Sequence, residues 1–266
     1  HAIVLKKMQE FQEMGHKVIL LIGDFTGMIG DPTDKTSLRQ KLTKKRVLDN
    51  AKLYKQQASL FLKFSGNNSA EIKYNSEWLS KMNFEDVLEL ASHMTVEQML
   101  KRDMFEERQK QEKPIYIHEF MYPLMQGYDS VAMDVDGEIG GNDQTFNMLT
   151  GRTLMKQMLQ KEKFVLTAKL LEDTTGIKMG KTQGNMITFA DSENDMCGKV
   201  MSWTDGMILA GFELATSVSI GEIENIKTEL EGGANPKDIK MRLAREIVTI
   251  YHGEQKAKSA ENDFNN

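Results

Sequence analysis

Lys178 and Lys181 stand three residues apart in the run Lys178-Met179-Gly180-Lys181-Thr182, which Gly184-Asn185 closes. Two ammonium groups at that spacing, with a hydroxyl and glycines among them, can wrap a polyphosphate. As pyrophosphate leaves, charge builds on the β- and γ-phosphates. Cations already in place stabilise that charge more in the transition state than in the ground state. Taken alone, such a cluster reads more readily as a solvated loop. Three blocks upstream weigh against the bland reading.

The first is Gly140-Gly141-Asn142-Asp143-Gln144, just before a predicted helix over 142–159. Glycines let backbone approach a ligand, and a helix N-terminus offers unpaired N–H groups. Asp143 can accept hydrogen bonds from a ribose. The alternative is plain helix capping by Asn142 or Asp143. In the second block Tyr122, Gln126 and Asp129 are four and then three residues apart, so they share one helical face. A phenol, an amide and a carboxylate together are unusual for a core helix; a polar surface stripe is the alternative. The third block is Gly30-Asp31-Pro32, with Lys35 and Arg39 four apart behind it. That pair is either a basic arm or a flexible basic loop.

In this order the four blocks resemble a class I aminoacyl-tRNA synthetase, and specifically a bacterial tyrosyl-tRNA synthetase, over nearly the whole chain. The motifs are specific together and weak singly. The lysine run is similar to the family's mobile signature loop, with Gly180 and Thr182 replacing two serines. Thr182 keeps the hydroxyl. Asp34 stands where the family commonly has glycine or serine. His1 followed by Ala2 is similar to the last histidine of the family's His-x-Gly-His motif.

The resemblance implies roles for these residues. Tyr122 and Gln126 hold the α-amino group of tyrosine with help from Asp31, and Asp129 accepts a hydrogen bond from the substrate phenol. Leaving that acceptor unpaired would reject phenylalanine by a factor on the order of 10⁴–10⁵, a magnitude taken from the tyrosyl enzymes themselves. Gly141 and Asp143 hold the ATP ribose, Gln144 faces the aminoacyl carboxylate and α-phosphate, and backbone near Leu170-Leu171 holds adenine. His1, Lys35, Arg39, Lys178, Lys181 and Thr182 stabilise the phosphates. ATP is the second substrate, carried with Mg²⁺, and no protein-ligated metal is expected. tRNA(Tyr) is the acceptor, and a homodimer is the family's usual state.

The chain opens at His1 rather than Met, which implies a fragment. The first histidine of the motif, the segment before it and the family's small C-terminal RNA-binding domain are then expected elsewhere. Residues 1–266 alone are expected to be inactive or badly impaired. Rival readings are a tryptophanyl-tRNA synthetase, another adenylyl- or nucleotidyl-transferase of the superfamily, and a non-catalytic RNA-binding relic. Lys178, Lys181 and Asp143 count against the relic, and Asp129 favours tyrosine over tryptophan.

The bulk of the chain is compatible with this. With 40% apolar and 27% charged residues among 266, a normal core can be buried. No run approaches the roughly 18 apolar residues of a membrane span. Cys197 is the one cysteine, so no internal disulfide is possible, and a reducing cytoplasm fits. A net charge of −5 excludes broad electrostatic coating of nucleic acid but not a local patch. Basic clusters do occur at Lys41, Lys44, Lys45 and Arg46 and at Lys237, Lys240, Arg242 and Arg245; solvated helix faces are their plainer reading. His16, His93, His118 and His252 show no metal-ligand spacing.

These residues need a scaffold. Val4, Leu5, Met8 and Phe11 recur at helical spacing, and Gly15 can end that helix. Val18–Ile22 reads as a buried parallel strand delivering the chain into a glycine-rich turn, where open α/β sheets bind ligands. Further strands are expected at 72–74, 131–133 and 164–166, with helices over 43–64, within 77–110 and over 118–128. Trp78 and Trp203 are assigned to cores, and Gly151-Arg152 to a helix cap, with a contact to tRNA as the alternative. The expected class is α/β: a Rossmann-like parallel-sheet catalytic domain over 1–188, then an all-helical domain over 189–266 that resembles the family's anticodon-binding module. Helices are expected there at 194–203, 205–216, 219–231 and 236–264, with Asn235-Pro236 as a start.

Overall fold

The computed structural model describes residues 2–29, 53–172 and 186–265. The chain falls into two compact units, Val4–Ala168 and Lys169–Asn266 together with His1–Ile3. The division comes at 168 and 169, whereas the sequence reading put the boundary at 188 and 189. Leu171 and Ile187 account for the earlier point, since both pack on the helical unit's core.

In the first unit α1 (Ala2–Glu13) buries Leu5, Met8 and Gln12, and Gly15 beyond it takes φ +91°, a conformation that glycine adopts without strain. The Gln12 amide works as a clamp. It donates to the carbonyls of Lys63 and Asn68 at 2.7 and 2.8 Å and accepts from the Lys63 N–H at 2.9 Å. The apolar run after it forms β1 (Ile19–Ile22), which pairs in parallel with β2 (Glu71–Tyr74), Ile19 opposite Glu71 and Ile22 opposite Tyr74. A short helix, α2 (Thr26–Ile29), opens at the strand's carboxyl end. Residues 53–58 are helical. Then come α3 (Ser76–Leu79), α4 (Phe84–Ser92), α5 (Val96–Leu100) and α6 (Asp103–Lys110). Asn83 and Thr95 start α4 and α5 through capping boxes with Asp86 and Gln98.

The site rests on the next four elements: α7 (Ile117–Met133), β3 (Gly137–Gly141), α8 (Thr145–Leu159) and β4 (Phe164–Ala168). Here the sequence expectation of a strand at 131–133 fails. Val131, Ala132 and Met133 are the last turn of α7, which ends only at Asp134, in the left-handed region at φ 50°. The strand lies beyond it, in Gly137-Glu138-Ile139-Gly140-Gly141, and pairs in parallel with β4 from Gly137 opposite Phe164 to Gly141 opposite Ala168. Three glycines give that segment no intrinsic strand signal, so its conformation comes from pairing with β4.

Gly151 is also not a cap. It sits mid-helix in α8, where a Cβ would lie 3.3 Å from the Gly127 Cα of α7 and 2.6 Å from the Lys163 Nζ. The two helices therefore touch backbone to backbone at Gly127 and Gly151. Beside that crossing lies an apolar cluster of Leu90, Met99, Leu124 and Leu154.

The second unit is helical: α9 (Glu193–Met201), α10 (Ile208–Ala215), α11 (Ile220–Glu231), α12 (Pro236–His252) and α13 (Glu254–Asn265). Asn235 caps α12 by accepting from the Lys237 N–H, with Pro236 in the first turn. The helix expected over 236–264 is two helices, broken at Gly253 with φ 85°. The core is Met196, Val200, Trp203, Phe212, Ile226, Leu243, Ile247 and their neighbours. Cys197 is buried within it, and burial pushes its thiol up.

Candidate active site

Asp129 is the centre of the described polar cluster. It is 3% exposed, on the same face of α7 as Gln126 and Tyr122. Its Oδ1 accepts from the Trp78 Nε1 at 2.8 Å, and its Oδ2 from the Asn75 Nδ2 at 3.3 Å. Both donors are neutral. Burial therefore dominates the electrostatics and pushes the carboxyl up to about 7, with the two donors opposing and nearby Glu138 and Asp24 adding to the rise.

Asn75 ties this carboxylate to the first strand pair. It is completely buried, donates also to the Thr26 Oγ1 at 3.1 Å, and accepts from the Phe25 N–H at 2.9 Å. Asp24, buried beside it, accepts from the Ser76 N–H and hydroxyl at 2.9 and 2.6 Å. These bonds join the turn after β1 to the helix start after β2, the sheet edge at which α/β folds bind ligands.

A second polar centre lies one residue along α7. Lys163, whose side chain is wholly buried, donates to the Ser130 Oγ at 2.8 Å and pairs with the Glu138 carboxylate of β3. Ser130 donates to that same carboxylate at 3.2 Å. Burial pulls the lysine down, and the Glu138 charge partly opposes this. This network pins β3 and the segment before β4 against α7.

The glycine block closes the arrangement. Gly140 and Gly141 end β3, and Asn142–Gln144 form a single 3-10 turn leading into α8. A Cβ on Gly140 would meet the Met148 Sδ at 2.8 Å, so a larger residue there would force the Met148 side chain to shift. Asp143 is exposed at that turn, with the Gln144 Nε2 at 3.4 Å from its carboxylate. The Asn147 Nδ2 donates to the Oε1 atoms of both Gln126 and Gln144, each at 2.9 Å. The result is a buried acceptor, two amides and an exposed carboxylate at the carboxyl end of parallel strands, beside a helix start.

A sequence model described as tRNA synthetases class I (W and Y) matches residues 1–266. The chain belongs to that family. The tyrosine–tRNA ligase of Carboxydothermus hydrogenoformans is 47% identical over 266 residues, covering 99% of this chain and 64% of that protein. That of Burkholderia thailandensis is also 47% identical over 266 residues, with 100% and 64% covered. The chain thus spans 64% of the length of both relatives, less than two thirds. Among solved structures, a C-terminally truncated mitochondrial tyrosyl-tRNA synthetase of Coccidioides posadasii superposes with a TM-score of 0.77 at 22% identity, covering 98% of this chain and 78% of that one. The tyrosyl-tRNA synthetase of Archaeoglobus fulgidus, solved with L-tyrosine, gives 0.74 at 20% identity, covering 98% and 85%. These likenesses establish the α/β fold of a class I synthetase.

Of the synthetase residues expected from sequence, Gln126 and Gln144 meet through Asn147, and Asp143 and Gly141 lie on the turn beside them. Tyr122 is half-buried on the same helix. Leu171 belongs to the helical unit, packed against its core. His1, Asp31, Lys35, Arg39, Lys178, Lys181 and Thr182 lie outside the described residues. Trp78, expected as core packing, is instead a half-buried donor to Asp129. Asn75, Asn147, Glu138 and Lys163 were missed; each is a single polar residue with at least one partner 21 or more residues away in sequence. Three of the four basic residues of the helical unit's cluster are engaged internally: Lys240 with Asp205 at 2.8 Å, Arg242 with Glu229 at 3.1 Å, and Arg245 with Glu261 at 3.5 Å. Among the described residues no His, Cys, Asp or Glu cluster could hold a metal.

Proposed function

We propose that the protein carrying this chain is a tyrosine–tRNA ligase. The family and the relatives named above support that reading. The observation that carries it is Asp129: a buried carboxylate whose donors among the described residues are neutral, on one helix face with Tyr122 and Gln126. A carboxylate has about four acceptor sites, so two donors leave it able to take a phenol O–H. A tyrosine ring reaching it lays its amino-acid end toward Gln126 and Gln144.

In the first step the tyrosine carboxylate oxygen attacks the α-phosphorus of ATP. The bond from that phosphorus to the β-bridging oxygen breaks, and pyrophosphate leaves with its Mg²⁺. In the second, a terminal ribose hydroxyl of tRNA(Tyr) attacks the activated carbonyl carbon and AMP departs. Positioning and charge stabilisation are sufficient for this chemistry, and no side chain serves as nucleophile. Asp31, Tyr122, Gln126 and Asp129 select tyrosine, and Gln144 meets its carboxylate and the α-phosphate. Gly141 and Asp143 hold the ribose, with backbone near Leu171 at the adenine. His1, Lys35, Arg39, Lys178, Lys181 and Thr182 stabilise the phosphates.

The sequence boundary places a catalytic domain at 1–188 and an anticodon-binding helical domain at 189–266. The protein acts in the cytoplasm as a homodimer. The large apolar side chains of Tyr116 and Ile117, 59% and 82% exposed at the start of α7, are what a second copy would cover. No helix among the described residues is long and apolar enough to cross a membrane. The test is amino-acid-dependent exchange of labelled pyrophosphate into ATP, with each of the twenty amino acids, on the chain extended to its relatives' length. Exchange with tyrosine alone is expected. Exchange with tryptophan would overturn the role of Asp129, and none at all would favour a non-catalytic RNA-binding protein.

A further inference from the structure

Asn147 is completely buried in the second turn counted from the Asn142–Gln144 turn, and its surroundings are specific. Its Nδ2 is shared between two glutamine carbonyls. One belongs to Gln144, three residues earlier; the other belongs to Gln126, across the helix crossing on α7. Its own Oδ1 is buried with no hydrogen-bond partner among the described residues. A side chain kept merely to tie two helices would not leave an acceptor buried and unpaired. What this geometry does achieve is to commit the carbonyl of each glutamine to the same donor group.

We propose that Asn147 is a positioning residue for the amino-acid end of the site. It fixes the amide orientation of Gln126 and Gln144, so that binding falls to their Nε2 donors and to the remaining carbonyl lone pairs. A glutamine amide left to itself can present either end, and half its orientations would turn an oxygen toward a ligand oxygen. With Asn147 in place, the Gln126 carbonyl keeps its second lone pair turned to the substrate's α-amino group, and Gln144 turns its amide N–H side to an oxyanion such as the amino-acid carboxylate or the adjoining α-phosphate. This assignment rests on the ligase reading above. It goes beyond it by placing the control of both glutamines in one buried residue that touches neither substrate.

The test uses Asn147→Asp and Asn147→Leu in the protein extended to its relatives' length, with pyrophosphate exchange measured over pH. The aspartate is nearly isosteric but replaces the shared donor by an acceptor. KM for tyrosine is expected to rise about 10-fold, the loss of one hydrogen bond, and KM for ATP to rise less, because only Gln144 of the two glutamines faces the α-phosphate. A buried aspartate takes up a proton well above the usual carboxylate range. As pH falls it regains one donor, so its defect is expected to shrink on acidification, whereas that of the leucine variant is not. Wild-type KM values in both variants, with only a lowered Tm, would reduce Asn147 to a helix tie and overturn the inference. If the leucine variant does not fold, the aspartate variant's pH profile alone decides: a flat defect overturns the inference. A wild-type protein that shows no exchange with tyrosine overturns the functional reading itself, which is a separate result from wild-type exchange with unaltered variants.

Discussion

The two units bury different things. Among the described residues, the helical unit's buried side chains are apolar apart from Thr216, and its core of Met196, Val200, Phe212, Leu243 and Ile247 is built for cohesion. The unit Val4–Ala168 buries Gln12, Asp24, Asn75, Asp129, Ser130, Asn147 and Lys163 as well as its leucines and methionines. Buried polar groups are costly unless paired, and a domain needs none of them to be stable. Their concentration between β1, β2, β3 and α7 marks where stability is given up for recognition. Within that unit two carboxylates, the half-buried Glu138 and the buried Asp129, differ again. Glu138 is neutralised by Lys163 and holds the frame; Asp129 has neutral donors among the described residues and keeps capacity for a ligand.

Ways to break the comparison can be ordered by size. Lys163→Met takes the cation from the part-exposed Glu138 and leaves it the Ser130 hydroxyl, and a loss of about 3 kcal/mol in denaturant unfolding is expected, the low end of the range for a buried pair. Adding Glu138→Gln should recover much of it; no recovery would mean that Lys163 acts through packing alone. Leu243→Ala in the helical core is expected to cost about 2–5 kcal/mol as cavity and lost transfer energy. Its effect on KM for tyrosine should be negligible, because the polar centre lies in the other unit. A large rise in KM would dissolve the contrast between the units.

Smaller effects sharpen it. The folded Asp129 holds its proton up to about 7, while an unfolded aspartate loses it near pH 4. The folded state thus binds more protons across that window, and this group's contribution to stability falls as pH rises through it. Asp129→Asn removes the effect. Amide exchange of α7 in the variant, relative to wild type, is therefore expected to slow progressively from pH 4 to pH 7 once intrinsic rates are divided out. A constant ratio would show that Asp129 does not carry a displaced proton. The smallest expected change is in assembly: Ile117→Asp should shift a dimer toward monomer in sedimentation, with little change in fold.

Much of this organisation was legible in the residues. The apolar run at 18–22 and the strand at 164–166 were readable because buried parallel strands need continuous apolar side chains. β3 was not, because Gly137, Gly140 and Gly141 carry no such signal and the strand exists through its partner. Its neighbour, Val131-Ala132-Met133, drew the assignment instead, since a short apolar run at a helix end looks like a strand. The shared face of Tyr122, Gln126 and Asp129 follows from helical spacing alone. Asn75, Trp78 and Asn147 do not, because each acquires its role from a partner brought near only by folding, 21 to 54 residues away. Gly151 illustrates the same limit: it resembles a cap in sequence and is a helix crossing in space.

Discrimination between tyrosine and phenylalanine tests the central claim most directly. The ratio of kcat/KM for the two amino acids in pyrophosphate exchange would be measured for the wild type and for Asp129→Asn. The account predicts strong rejection of phenylalanine by the wild type. It predicts that the ratio falls about 10- to 150-fold in the variant, as expected when a hydrogen bond to a charged group worth about 1.5–3 kcal/mol is lost. An unchanged ratio in a folded, active variant would contradict it, because the buried carboxylate would then not be what reads the phenol.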